Sequence, residues 1–274
     1  MSSGDRIQST FSRLKKEGRA GLVTFITAGD PDPKTSQQLM AQLPDAGSDI
    51  IELGMPFSDP MADGPAIQAA NLRALASGAS LMGTLDMVRR FRENNGTTPV
   101  ILMGYFNPIY QYGPSRFVTD AVAAGVDGLI MVDLPPEEDE ELCDPARTAG
   151  LHWVRLVTPT SNEGRLKQVL QNTSGFIYYV SIAGITGTRS AAASAIGEAL
   201  ATVRKHTQLP IAVGFGINTA DQVRETGEVA DGAVVGSAII PEIEKNLDAS
   251  GCAKPELLDR VTGLVSDLAG GLRS

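Results

Sequence analysis

Cysteine is nearly absent from this chain: 274 residues contain two, Cys143 and Cys252, with no close pair between them. That excludes a disulfide framework. With only two histidines, His152 and His206, well separated in sequence, it also argues against a zinc site, so no metal is expected. Basic charge is short as well. Lys and Arg total 23 against 32 Asp and Glu, a net charge of −9, and such a surface lacks the broad positive field that binds nucleic acid or anionic membranes. No stretch of about 18 apolar residues could span a bilayer. The N-terminus has no apolar core of a secretory signal. These absences lead to the expectation of a soluble cytoplasmic protein in which any anionic ligand is held by a local device.

Short apolar runs rich in β-branched residues alternate with longer amphipathic stretches. Strands are expected over 22–27, 49–53, 100–104, 128–132, 152–157, 176–180, 211–214 and 232–235. The runs are continuously apolar, as strands buried on both faces tend to be. Between them lie helical patterns such as Leu81, Leu85, Val88 and Phe91. Strand and helix repeated eight times predict an α/β fold, a single (β/α)8 TIM barrel occupying residues 1–274 as one domain. An open doubly wound sheet is the alternative. Ile7, Phe11 and Leu14 share one helical face ahead of the first strand, which predicts an extra N-terminal helix over the lower end of the barrel.

Two strand-to-strand intervals are long, 51 residues after the second strand and 35 after the sixth. Extra chain at the C-terminal ends of barrel strands builds active-site loops and lids. Within the second strand lies Glu52, a costly place for a carboxylate unless it is paired or useful. Pointed inward it would face a ligand with its pKa raised; pointed outward it would meet the helices. The loop that follows carries Pro56, Pro60, Pro65, Gly54 and Gly64 around Asp59 and Asp63. Either Asp has an alternative reading as turn chemistry or an N-cap, and Glu52 has one as a structural ion pair. Glycine-bearing turns close the sixth, seventh and eighth strands, the last with Gly236 and Ser237 opening a helix-compatible stretch. Helix N-termini near strands seven and eight are where such barrels hold phosphate. The residues thus point to a barrel enzyme for a phosphorylated ligand, with acid–base carboxylates.

The run ELGMPFSDPMADGPAIQ, residues 52–68, resembles the signature of tryptophan synthase α chains. LVTFITAGDPD (22–32), YYVSIAGITGTR (178–189) and VGFGI (213–217) are similar to family segments in the same order and spacing. The resemblance implies a lyase that cleaves indole-3-glycerol phosphate to indole and glyceraldehyde 3-phosphate by a retro-aldol reaction, with no cofactor. It implies that Glu52 is the general acid–base residue and that Asp63 accepts the indole N–H. Phe25, Ile67, Tyr105, Ile130 and Tyr178 match positions lining the indole pocket; Tyr105 and Tyr178 have a second reading as core residues with satisfied hydroxyls. Gly187, Gly216, Gly236 and Ser237 match the phosphate-binding positions, and Thr186 a lid residue. Family members often carry Arg where this chain has Ile182, a difference that bears on how the lid closes.

A partner is implied too, a pyridoxal-phosphate β subunit in an α2β2 heterotetramer, met by Pro56, Phe57, Ser58 and Asp59. An exposed edge at Met55, Pro56 and Phe57 would suit that interface, and a turn packed on itself is the alternative. Three other readings stand beside this one. They are a stand-alone indole-producing lyase, a different phosphosugar barrel enzyme, and a non-catalytic activator of a β subunit.

Overall fold

A computed structural model of the chain describes residues 4–181, 189–214 and 216–273, and for 189–194 the backbone alone. The expected alternation is present among the described residues. The first helix, α1 (Arg6–Glu17), precedes β1 (Gly21–Thr27), α2 (Pro33–Ala46) and β2 (Ile50–Gly54). Two helices, α3 (Pro65–Ala76) and α4 (Leu81–Arg92), then lead to β3 (Val100–Gly104), so the long interval after the second strand is a loop plus one extra helix. Next come α5 (Phe106–Tyr112), α6 (Pro114–Ala124), β4 (Gly128–Met131), a 3-10 turn (Pro136–Glu141), α7 (Cys143–Thr148), β5 (His152–Trp153) and β6 (Arg155–Val157). The remainder is α8 (Glu163–Gln171), β7 (Ile177–Val180), α9 (Arg189–Arg204), β8 (Ile211–Gly214), α10 (Ala220–Gly227), β9 (Gly232–Val235), α11 (Ile239–Lys245) and α12 (Leu257–Gly270).

All pairings are parallel, in the order β5-β4-β3-β2-β1-β9-β8-β7-β6. The first strand pairs with the last: Val23 lies opposite both Ile50 and Val234. The two ends of that order, β5 and β6, are halves of one barrel strand interrupted at Val154. The first half pairs with β4 and the second with β7, and Val154 itself donates to Leu129 O at 2.9 Å. Nine segments therefore make eight barrel strands, and the open-sheet alternative is set aside.

Side-chain alternation divides the strands into an outer and an inner face. Outward residues such as Leu22, Ile26, Ile51 and Leu53 pack on the helices. Inward residues Val23, Ile50, Ile101, Ile130, Val154, Ala212 and Val234 form the barrel interior, together with Phe176. Burial on both faces explains why the strands read as unbroken apolar runs. The interior is closed from below by α1, whose Ile7, Phe11 and Leu14 join the same cluster; the Phe11 and Phe176 rings stand 5.8 Å apart. Each such buried side chain contributes about 1.5–3 kcal/mol. Arg6 pairs with Asp127 and Arg13 with Asp49, both at 2.8 Å, which fixes the helix across the lower rim.

That rim carries a repeated device which the strand patterns did not reveal. Asp49, Asp127 and Asp231 stand immediately before β2, β4 and β9, and each carboxylate accepts the amide that opens, or nearly opens, the preceding strand. The amides are those of Leu22, Val100 and Ile211 respectively. Between β5 and β7 the same place is taken by Ser174, whose hydroxyl accepts the Trp153 amide at 3.0 Å. An isolated strand end would leave those amides unsatisfied, so at four of the strand junctions one polar side chain helps to set the register.

Candidate active site

The loops after the strands' C-terminal ends gather on the opposite rim. Register places Glu52 opposite Phe25 on β1 and Ile101 on β3. Because Ile51 and Leu53 pack outward, Glu52 points into the barrel. It is 1% exposed, and neither carboxyl oxygen meets a hydrogen-bond partner among the described residues. No ion pair to it is found among those residues either, so the structural ion-pair reading has no support. Burial without a partner disfavours the charged form, and the negative charge of Asp63 adds to it. The Glu52 pKa is raised to about 8.

Asp63 is positioned by the loop between β2 and α3. Its amide donates to Pro60 O at 3.0 Å, which closes a turn, while α3 starts at Pro65 behind Gly64. Gly64, not Asp63, occupies the cap position, which leaves the Asp63 carboxyl for other work. That carboxyl is half-buried and hydrogen-bonded by the Tyr105 hydroxyl and by Asn71 Nδ2, the latter at 3.5 Å. Burial outweighs the two hydrogen bonds and lifts its pKa to about 6. Tyr105 in turn accepts the Ala62 amide at 2.9 Å; burial, then the nearby Asp63 charge, pushes its own pKa up to about 12. The two carboxyl groups are therefore close enough to interact, Glu52 enclosed in the barrel and Asp63 at the edge of the cleft.

Phe25, Ile67 and Tyr105, three of the positions matched to the indole pocket, line the cleft at Asp63 with Gly54, Met55 and Asn71. Met103 and Val132 complete it and were missed. The signal was available: each lies two residues beyond an inward-facing Ile, Ile101 or Ile130, and so shares its face one step closer to the rim. Ile130 itself is wholly buried deeper in the interior cluster. Tyr178 stands on β7 and faces inward, its pKa raised well above the ordinary value by burial and then by Glu52. Its ring fits only because residue 214 has no side chain; a Cβ there would lie 2.4 Å from the Tyr178 hydroxyl. Gly214→Ala should therefore cost about 1–3 kcal/mol and displace the tyrosine. A lowered denaturant midpoint with reduced turnover would bear this out, and an unchanged midpoint would show that the ring has room to move.

On the far side of the mouth, Gly216 takes a left-handed φ of 74° and its carbonyl accepts from Asn218 Nδ2 at 2.9 Å. Asn218 Oδ1 accepts the Ser237 hydroxyl at 3.3 Å. This tie between the two glycine turns was not anticipated; the Asn directly after VGFGI is the only hint of it. Gly236 links β9 to α11, and its carbonyl accepts the Ile239 and Ile240 amides at 3.0 and 3.1 Å. Ile182, Thr186 and Gly187 lie outside the described residues.

The expected exposed edge after β2 is corrected. Met55 and Pro56 are buried, Met55 lying against Gly104, and Phe57 is half-buried with its ring 5.3 Å from that of Tyr105. Apolar side chains this close to the barrel mouth fold onto it. Ser58 and Asp59 are exposed, and Met61 is 86% exposed.

The family model of the tryptophan synthase alpha chain matches residues 11–264. Among solved structures, the alpha subunit of tryptophan synthase from Legionella pneumophila strain Paris is 41% identical. That match covers 97% of this chain and 98% of the other, with a TM-score of 0.89. A chain from Aquifex aeolicus VF5 is 34% identical with a TM-score of 0.86, covering 98% of this chain and 99% of that one. A chain of an open form of tryptophan synthase from M. tuberculosis is 31% identical over the same shares of the two chains, again with a TM-score of 0.86. With a family match over nearly its whole length and solved relatives of the same fold at up to 41% identity, the chain belongs to the tryptophan synthase alpha chain family.

Proposed function

We propose that Glu52 and Asp63 carry the family's lyase half-reaction in this chain, the cleavage of indole-3-glycerol phosphate to indole and glyceraldehyde 3-phosphate. The observation that carries the proposal is the enclosed Glu52 carboxyl, without a hydrogen-bond partner among the described residues, close enough to Asp63 at the edge of the cleft to feel its charge. A pKa of about 8 keeps Glu52 largely protonated at neutral pH, while one of about 6 leaves Asp63 largely ionised. The two carboxyl groups thus begin the cycle in opposite states.

In this scheme the protonated Glu52 gives its proton to indole C3. Asp63 accepts the ring N–H and stabilises the positive charge that develops on the ring. The bond from C3 to the glycerol chain then breaks and its electron pair returns to the ring. As the adjacent hydroxyl becomes the aldehyde, its proton passes to Glu52, which ends the cycle as it began. Phe25, Ile67, Tyr105, Met103 and Val132 supply an apolar bed for the indole, with Ile130 beneath and Tyr178 across from it. Gly216, Gly236 and Ser237 are assigned to the phosphate, held by backbone amides, and Gly187 and Thr186 are assigned to substrate binding with them on the resemblance alone. In this proposal residues 1–274 act as one domain, and the proton transfers use its own carboxyl groups.

Gly236→Asp tests the phosphate assignment. A Cβ at Gly236 would stand 3.0 Å from Phe25 Cβ, and the carboxylate would repel the phosphate. The Michaelis constant for indole-3-glycerol phosphate should rise by about 10-fold or more, and a normal value would move the phosphate elsewhere.

The second part of the proposal is a pyridoxal-phosphate β subunit as partner, in an α2β2 arrangement in the cytoplasm. Pro56, Phe57, Ser58 and Asp59 are assigned to that interface. Among them Ser58 and Asp59 are open to contact, and the apolar Met61 exposed two residues on suits a protein partner. Among the described residues no helix is long and apolar enough to cross a membrane. Titrating the chain with a tryptophan synthase β subunit should raise indole release to a plateau at equimolar ratio. A rate indifferent to β would favour a stand-alone lyase.

A further inference from the structure

Asn71 is a polar side chain on α3, 4% exposed, and each of its side-chain atoms is engaged. Its Oδ1 accepts the Phe57 amide at 3.1 Å, while its Nδ2 donates to Ile67 O at 3.0 Å and to Asp63 Oδ2 at 3.5 Å. One buried amide thus touches both ends of the loop between β2 and α3: the Phe57 end, next to the exposed Ser58 and Asp59, and the Asp63 end. The Phe57 ring reaches the same carboxylate by a second route, since it packs on Tyr105, whose hydroxyl is hydrogen-bonded to Asp63. Any displacement of residues 57–59 is therefore felt at Asp63 through two contacts, neither of them through solvent.

We propose that Asn71 is a positioning residue, the rigid tie that sets the Asp63 carboxylate by reference to the Phe57 backbone, so that the state of the 58–59 surface is read at Asp63. This rests on the assignment of Asp63 to the lyase chemistry. The titratable groups facing Asp63 among the described residues are Glu52 from β2 and Tyr105 beyond β3, and Asp133 after β4 acts on Tyr105. Arg73 on the same helix is held by Asp30 at 2.7 and 2.9 Å and faces Glu244 on α11, so it is committed away from the site. Tyr105 and Asn71 are thus the two hydrogen bonds that favour the ionised form of Asp63.

The test compares the wild-type chain, Asn71→Ala and Asn71→Asp, each with saturating β subunit, in the turnover of indole-3-glycerol phosphate across pH. Asn71→Ala removes every contact. Its kcat should fall about 10-fold with less than about a 3-fold change in KM, and the acid limb of the kcat profile should move up by roughly half a unit or more. Asn71→Asp keeps the shape and the acceptor for the Phe57 amide but replaces the donor by a like charge. It should move the acid limb further up while leaving the thermal midpoint nearer to wild type than the alanine variant does. A merely structural Asn71 would lower the thermal midpoint in both variants with the acid limb unmoved, and that result overturns the proposal. Asp63→Asn run alongside separates the two failures. If that variant turns over normally, the assignment of Asp63 is wrong; if it is inactive and the Asn71 variants keep the wild-type limb, only the tie is wrong.

Discussion

Glu52→Gln is expected to lower lyase turnover by about 1000-fold or more while the Michaelis constant changes less than about 3-fold. The amide preserves the shape of the side chain but neither gives up a proton to indole C3 nor takes one from the glycerol hydroxyl. Steady-state indole release checks the loss, and substrate binding at equilibrium checks that the pocket is intact. Near-normal turnover would remove Glu52 from the proton transfer.

The same variant should be more stable than the wild type, in a manner that depends on pH. The folded-state pKa of Glu52, about 8, stands above its ordinary value of 4.5. Between those values the folded chain holds a proton that the unfolded chain has released. Wild-type stability from this group is therefore complete below about pH 4.5 and drains away as pH rises to 8, by about 1.4 kcal/mol per unit. The whole loss is on the order of 4–5 kcal/mol. Glutamine does not titrate, so the advantage of the variant should widen from pH 5 to pH 8. A constant difference in thermal midpoint across that range would show that Glu52 is not held protonated by burial.

Asp63→Asn is expected to lower kcat by roughly 100- to 1000-fold, the range for losing a pre-placed charge at a developing one. The asparagine oxygen still accepts the indole N–H but brings no full negative charge to the ring. The effect on pH dependence is more specific. The kcat/KM profile of the wild type should be bell-shaped, rising as Asp63 ionises near 6 and falling as Glu52 loses its proton near 8. The two groups interact, so these apparent values belong to the pair. Residual activity in Asp63→Asn should lack the acid limb. If a limb near 6 persists, another group titrates there and the charge-stabilising role moves with it.

Much of the barrel was legible because burial on both faces writes itself as unbroken β-branched runs. The runs over 100–104, 211–214 and 232–235 coincide with β3, β8 and β9. The N-terminal helix was legible because Ile7, Phe11 and Leu14 recur at helical spacing, and they now close the lower end. The same uniformity hid the direction of Glu52. In IIEL the neighbours on both sides are apolar, so only register, with Glu52 opposite Phe25, decides which face it takes. The break in the fifth barrel strand at Val154 was equally hidden, since nothing in HWVRLV marks where pairing passes from β4 to β7. Burial of Met55 depends on Gly104 leaving it space from another strand, a non-local fact. Asn71 carried a signal that went unread, as a polar side chain set among the small apolar residues of α3.

Purified chain incubated with indole-3-glycerol phosphate, assayed for indole and glyceraldehyde 3-phosphate with and without a β subunit, puts the whole reading at stake. Equal amounts of the two products are predicted, formed slowly by the chain alone and at least about 10-fold faster with β. No indole in either case, from folded protein with Glu52 and Asp63 intact, would contradict the assignment of this barrel mouth to the lyase reaction.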